Sequence, residues 1–294
     1  MLSRISLRYL PQIIRRTSLI RQFSVETNPQ VLVQVDDSKI ATVTINRPEK
    51  KNAFSGQTIA ELSTAFSSIS KDQTIRGLIV KGNGDYFCAG ADLTWMKDTA
   101  NMNEQEIKAD SMKLRTMFQA CEQLRIPTLC LVKGGCIGGG IGLCSAAKTV
   151  VALSDSWFLF SEVRLGIIPA VVSPFVLNRI GKANCKRYMM IPERIPAVDA
   201  LRIGLVDKIV ESEAAMMTYE KEWRKLVMAG APAAVGLVSD LIDAIEGKSP
   251  SEQAEITVNM LCERRKSQEG KEGMNCFFSK QKPSWVHFSV CNKH

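Results

Sequence analysis

Residues 132–144 read V-K-G-G-C-I-G-G-G-I-G-L-C, and residues 160–169 read F-S-E-V-R-L-G-I-I-P. The six glycines between Gly134 and Gly142 follow an apolar run, Thr128-Leu129-Cys130-Leu131-Val132. That order predicts a strand running into a tight turn and then a helix. Residues without side chains let backbone N–H groups approach a ligand closely, beside the positive end of the helix dipole. Close helix–strand packing would favour the same glycines. The run is not a phosphate loop, because no Gly-Lys-Ser/Thr follows and G-x-G-x-x-G is absent. Glu162 falls in an apolar segment, with Trp157, Phe158, Leu159 and Phe160 before it and Val163, Leu165, Ile167 and Ile168 after it. A carboxylate in such company is expected to titrate above its ordinary range, which suits proton transfer near neutral pH. The bland reading pairs it with Arg164 or a surface lysine.

The chain has 294 residues, 45% hydrophobic and 23% charged, enough for one large domain or a domain with an appendage. No apolar run reaches the roughly 18–20 residues of a membrane span, so none is expected. The net charge of +8 is concentrated at the start. Residues 1–24 hold Arg4, Arg8, Arg15, Arg16 and Arg21 and no acidic residue, the composition of a mitochondrial transit peptide. R-Q-F-S at 21–24 resembles a matrix-protease site, so the mature chain is expected to begin near Ser24 in the mitochondrial matrix. Without those five arginines the charge falls to +3. No basic stripe with interleaved aromatics or zinc spacing appears, and no nucleic-acid partner is expected. None of the nine cysteines forms C-x-x-C, and reduced thiols are expected. The only histidines are His287 and His294, so a Ser-His-Asp triad or Cys-His dyad has no core histidine to draw on.

Residues 30–35 and 39–46 alternate as a β-hairpin. Ser55 caps a helix with Ile59, Leu62, Phe66 and Ile69 on one face. Asp92 is placed to cap a further helix start. Helices are expected over 104–124, 141–147, 169–180, 182–190 and 198–203, and strands over 77–80, 128–132, 149–153, 158–160 and 206–210. Helices dominate from residue 213, and the order indicates an α/β core with an all-helical C-terminal part from about residue 231.

Four blocks now stand in order: I-N-R-P-E-K-K-N-A-F (45–54), F-C-A-G-A-D-L (87–93), G-G-C-I-G-G-G-I-G-L (134–143) and F-S-E-V-R-L-G-I-I-P-A (160–170). In order and spacing they resemble the enoyl-CoA hydratase/isomerase (crotonase) family, over nearly the whole mature chain. The blocks G-A-D-L-T-W-M-K and S-E-V-R-L-G-I-I-P-A-V-V-S-P-F look most like its 3-methylglutaconyl-CoA hydratase-type branch. The resemblance implies a crotonase-type spiral of ββα turns over residues 25–230 and an all-helical oligomerisation region over 231–294. It implies a homotrimer or a hexamer, and an acyl-CoA substrate that brings its own coenzyme A, with no separate cofactor or metal.

By position, the N–H groups of Ala91 and Gly139 would form an oxyanion hole for the thioester oxygen, with Glu162 as the proton carrier. Lys51, Ala53 and Ala89 match the region holding the CoA adenine and pantetheine; Asp92, Leu93 and Gly138 fall among the substrate-binding positions. Lys282 resembles a tail position that reaches a CoA phosphate. For Lys50 and Lys51 a solvated loop is the bland alternative, and for Cys88, Cys136 and Cys144 simple packing. The departure is Gly142, where the family carries a second catalytic glutamate; Lys148 also replaces an aspartate. Three readings stay open: a hydratase of short or branched 2-enoyl-CoA in amino-acid or fatty-acid breakdown, a Δ3,Δ2-enoyl-CoA isomerase, and a catalytically weak CoA-binding scaffold.

Overall fold

Alternating apolar side chains draw β1 (Val31–Val35) and β2 (Ile40–Ile45) into an antiparallel hairpin, with Val31 opposite Ile45. The computed structural model describes residues 29–99 and 101–286. The expected transit peptide, its cleavage near Ser24, Cys291 and both histidines lie outside the described residues. The chain continues through α1 (Gly56–Lys71), β3 (Gly77–Gly82), α2 (Leu93–Thr99), α3 (Glu104–Glu122), β4 (Thr128–Val132) and β5 (Gly135–Ile137). Then come α4 (Gly139–Ala146), β6 (Thr149–Leu153), β7 (Trp157–Leu159), α5 (Ser173–Met190), β8 (Ile195–Pro196), α6 (Ala197–Arg202) and β9 (Lys208–Val210). The last elements are α7 (Glu213–Ala229), α8 (Pro232–Ile245), α9 (Pro250–Lys266) and α10 (Gln268–Phe278).

The larger sheet has the order β1-β2-β3-β4-β6-β9, parallel from β2 onward. Helices cover both faces, which is why β4 is buried at every position and reads as a continuous apolar run. On one side Leu62 and Phe66 of α1 and Met117 and Phe118 of α3 share a core with Val43, Val80 and Cys130. On the other, Trp223 and Val227 of α7 cover Ile40, Ile79, Leu129 and Val151. Ser55 caps α1 through a capping box with Thr58.

The smaller sheet, β5-β7-β8, is extended by parallel bridges from Cys136 to Cys88 and from Ala91 to Phe54. Four strands of the larger sheet, β2, β3, β4 and β6, are therefore each followed by a short pairing segment and then a helix. The turns are β2–Phe54–α1, the 88–91 segment between β3 and α2, β4–β5–α4, and β6–β7–α5. This is the ββα spiral the resemblance implies.

The glycine run holds more structure than a turn. β5 lies inside it, where pairing with β7 satisfies backbone groups that a bare glycine turn would leave open. Gly181, at φ 74°, breaks α5 into two helices, as the sequence suggests. α8, α9 and α10 bury no residue completely and expose Val238, Ile242, Val258, Leu261, Phe277 and Phe278. Among the described residues no single helix is long and apolar enough to cross a membrane.

Candidate active site

Gly138 takes φ 49°, donates to Leu159 O at 3.0 Å and accepts from Ile141 N at 2.9 Å, which turns β5 directly into α4. Gly139 is the first residue of α4, where N–H groups have no acceptor within the helix. Packing demands glycine at neighbouring positions. A Cβ on Gly140 would stand 2.8 Å from Cys88 Cβ, and one on Gly139 3.1 Å from the Phe54 ring. Both readings of the glycine run thus apply, and at Gly139 they coincide.

Ala91 faces this turn from a second loop. Phe54 N donates to Gly90 O at 2.7 Å and Asp92 N donates to Phe54 O at 2.8 Å. Strand alternation then turns the Ala91 N–H away from Phe54, toward the side where β5 and the start of α4 lie. On that side Ile137 N bonds Cys88 O at 2.9 Å, and a Cβ on Gly90 would stand 3.4 Å from Ile137 O. The two candidate donors therefore come from adjacent loops, with Phe54 touching both: its backbone pins the Ala91 segment and its ring lies on Gly139.

Glu162 opens a 3-10 turn, Glu162–Leu165, that Gly166 closes at φ 73°. Its Oε1 lies 3.1 Å from where a Cβ on Gly138 would stand. Its Oε2 is buried and has no hydrogen-bond partner among the described residues. Burial raises the carboxyl pKa, partly offset by the backbone N–H groups of Glu162 itself and Ser161. Among the described residues no charged neighbour contributes to that shift. The alternative pairing with Arg164 is not formed, because Arg164 donates to Pro192 O.

At Gly142 there is no room for a second carboxylate. A Cβ there would stand 2.6 Å from Val172 Cγ1 and 2.9 Å from Phe118 Cζ. Nearby thiols are not activated either: Cys88 is fully buried and its pKa is pushed up to about 12, chiefly by desolvation. Burial raises Cys136 and Cys144 as well.

Among the other expected residues, Lys51 and Ala53 lie against the Ala91 loop: Ala89 N donates to Lys51 O at 2.9 Å, and Ala53 is buried next to Phe54. The Lys51 ammonium is exposed and sits 4.9 Å from the Tyr86 ring centre. Leu93, 76% exposed, follows the Ala91 loop directly. The Asp92 carboxylate is turned inward. It caps α2 by accepting from Thr94 N at 2.8 Å and Trp95 N at 3.3 Å, and it pairs with Arg47 at 2.9 Å. Lys282 lies in the segment that follows α10. Its segment packs at the far end of β3, where Trp285 O accepts from Arg76, the residue before that strand. Lys148 donates to Glu122 O, placing a cation at the C-terminal end of α3.

Sequence reasoning missed two residues that build the Ala91 side. Arg47, given no role in the sequence beyond its place in the first block, bridges Ala53 O and Asp92. Asn52, fully buried at φ 56°, donates to Asn83 O and Tyr86 O and accepts from Arg47 N. A polar residue beside a motif proline and an asparagine in a tight loop were the available signals.

Residues 36–287 match the family described as Enoyl-CoA hydratase/isomerase. A relative in Arabidopsis thaliana, "Probable enoyl-CoA hydratase 2, mitochondrial", is 30% identical over 277 residues, covering 90% of this chain and 89% of its own. Crotonyl-CoA hydratase of Syntrophomonas wolfei is 30% identical over 260 residues, covering 85% and 95%. The crystal structure of an enoyl-CoA hydratase from Shewanella pealeana superposes with a TM-score of 0.83 at 29% identity, covering 87% of this chain and 96% of that one. With its ββα spiral and the four motifs meeting at one turn, the chain belongs to the enoyl-CoA hydratase/isomerase family.

Proposed function

We propose that this protein adds water to a short or branched 2-enoyl-CoA of the 3-methylglutaconyl-CoA kind. The observation that carries the reading is the half-buried Glu162 carboxylate beside the Gly138–Gly139 turn, with its Oε2 unpartnered. The thioester oxygen lies between the Ala91 and Gly139 N–H groups, which stabilise the charge that develops on it as C2 becomes enolate-like. Loss of one such donor costs ~10²–10³-fold in rate. Glu162 takes a proton from water, the resulting hydroxide oxygen bonds to C3, and Glu162 returns the proton to C2. The sum is H and OH added across one double bond, with no external redox partner. The raised pKa of Glu162 brings it nearer to neutral pH for both transfers. Lys51, Ala53 and Ala89 hold the CoA moiety, with Leu93 at the acyl side.

The crotonyl-CoA substrate in the name of one relative supports a short acyl chain. The basic, acid-free N-terminus and the mitochondrial name of another support a matrix location. The exposed apolar residues of α8, α9 and α10 support assembly as a trimer or hexamer.

Gly142 favours a second reading. With Val172 and Phe118 filling the space of a second carboxylate, one base could shuttle a proton between C2 and C4 of a 3-enoyl-CoA, which is isomerisation. Purified protein should bleach the enoyl-thioester absorbance of crotonyl-CoA or 3-methylglutaconyl-CoA. No change with either, together with conversion of a 3-enoyl-CoA, would replace hydration by isomerisation.

A further inference from the structure

We infer that Arg47 is a positioning residue for the oxyanion hole: its guanidinium clamps the loops that aim the Ala91 N–H. The inference rests on the hydratase/isomerase reading of the site and adds a residue outside it.

Arg47 lies two residues after the end of β2, and its own N–H donates to Asn52 Oδ1 at 2.9 Å. Nη1 donates to Ala53 O at 2.5 Å and Nη2 to Asp92 Oδ2 at 2.9 Å. The fork thus joins the residue before Phe54 to the residue after Ala91. Between those two points Phe54 makes its paired backbone bonds to Gly90 and Asp92 and lays its ring on Gly139. The clamp therefore sets the register of the segment that carries one donor against the residue that packs on the other.

The pair is buried. The Arg47 and Asp92 side chains are 12% and 7% exposed. An exposed ion pair contributes little, but a buried one held by further hydrogen bonds leaves an uncompensated charge when either partner is removed. Here every contact of the pair is specific. Asp92 Oδ1 is used by Thr94 N and Trp95 N, and the second guanidinium nitrogen is used by a backbone carbonyl. A lysine has the charge but not the planar fork, so it cannot hold Ala53 O and Asp92 together.

The recorded polar contacts of Arg47 and Asp92 are with each other, with Asn52 Oδ1, with Ala53 O and with the Thr94 and Trp95 N–H groups, so the expected signature is one of aim. A donor displaced by a fraction of an ångström loses more in the transition state than in the ground state. In Arg47→Met and Asp92→Asn, kcat should fall ~10- to 10²-fold while KM moves within roughly threefold. The Asp92→Asn variant keeps an oxygen for capping α2, so it tests the clamp where Arg47→Met fails to fold.

The decisive readout does not need turnover. An aryl-substituted enoyl-CoA, a chromophore conjugated to its thioester, absorbs at longer wavelength when its carbonyl is polarised by the two N–H groups. Bound to the full-length wild-type chain it should red-shift. In Arg47→Met or Asp92→Asn the shift should shrink while the thioester still binds, and Arg47→Lys should recover only part of it. A full wild-type shift in a folded Arg47→Met or Asp92→Asn variant overturns the inference, and full recovery by Arg47→Lys overturns the role of the fork. If the wild-type chain hydrates and isomerises nothing, the reaction reading fails, yet the shift still tests the clamp. A wild-type chain that binds the thioester with no shift overturns the oxyanion hole and the clamp together.

Discussion

The Glu162 carboxylate occupies the place beside Gly138 where any other residue would carry its side chain, with Oε1 3.1 Å from that point. Gly138 also sits at φ 49°, a conformation that L residues adopt at a cost. One glycine therefore permits both the start of α4 and the approach of the acid. Gly138→Ala should lower kcat by about tenfold or more, through a displaced carboxylate, and lower stability by about 1–3 kcal/mol. Steady-state kinetics and urea unfolding measure the two effects. An alanine variant with unchanged kcat would mean that the carboxylate's approach to Gly138 is incidental.

Glu162→Gln removes the proton carrier and keeps the shape. Turnover should fall at least ~10²-fold, with the affinity for a saturated acyl-CoA nearly unchanged by calorimetry. Residual activity near the wild-type level would point to a different base.

The pH behaviour follows from the direction of the Glu162 shift. Its folded-state pKa lies above the unfolded value because burial disfavours the charged form. The stability it contributes is present below the ordinary carboxylate range and is lost as pH rises through the raised value. Catalysis needs the ionised form, so the acid limb of kcat/KM should lie above the ordinary carboxylate range. Glu162→Gln should gain stability relative to wild type over that same interval. Asp92 behaves oppositely. Burial alone would raise its pKa, but the hydrogen bond from Arg47, the Thr94 and Trp95 N–H groups and the Arg47 charge together lower it. Its contribution is present above the unfolded value and is lost as pH falls through the lowered one, a loss that Asp92→Asn should abolish in acid denaturation curves.

Gly142→Glu should not recover two-carboxylate chemistry. The new Cβ would collide with Val172 Cγ1 at 2.6 Å and Phe118 Cζ at 2.9 Å, both of them buried. Overpacking of this kind costs ~1–3 kcal/mol, and the added charge costs more. Adding Val172→Ala should return part of the stability lost to the collision. A stable, more active single variant would show that the cavity opens at this point.

Much of the spiral could be read from patterns of two and of three to four residues. The face of α1 with Ile59, Leu62, Phe66 and Ile69 is buried as its spacing requires, and Ser55 caps it. The break at Gly181 falls between the two helices expected over 169–180 and 182–190, at a φ of 74° that glycine adopts readily. The strand inside the glycine run was not visible, because three residues of Gly-Cys-Ile carry no alternation; their pairing with β7 comes from the tertiary fold. The same holds at the site. The motif resemblance points to the loops bearing Ala91, Gly139 and Glu162, which meet in space. It says nothing of the Arg47–Asp92 clamp, whose partners are 45 residues apart and pair only after β2 and the Ala91 loop are brought together. Nor does it show that Val172, thirty positions beyond Gly142, fills the place of the missing acid.

The most direct test follows solvent oxygen. Crotonyl-CoA and 3-methylglutaconyl-CoA are incubated with the purified chain in oxygen-18 water, and the acyl product is analysed by mass spectrometry, with Glu162→Gln run in parallel. One labelled oxygen at C3 from the wild-type chain, and none above background from the variant, is the expected result. Turnover without label, or equal labelling by the variant, would contradict a hydratase in which a single half-buried glutamate moves the protons.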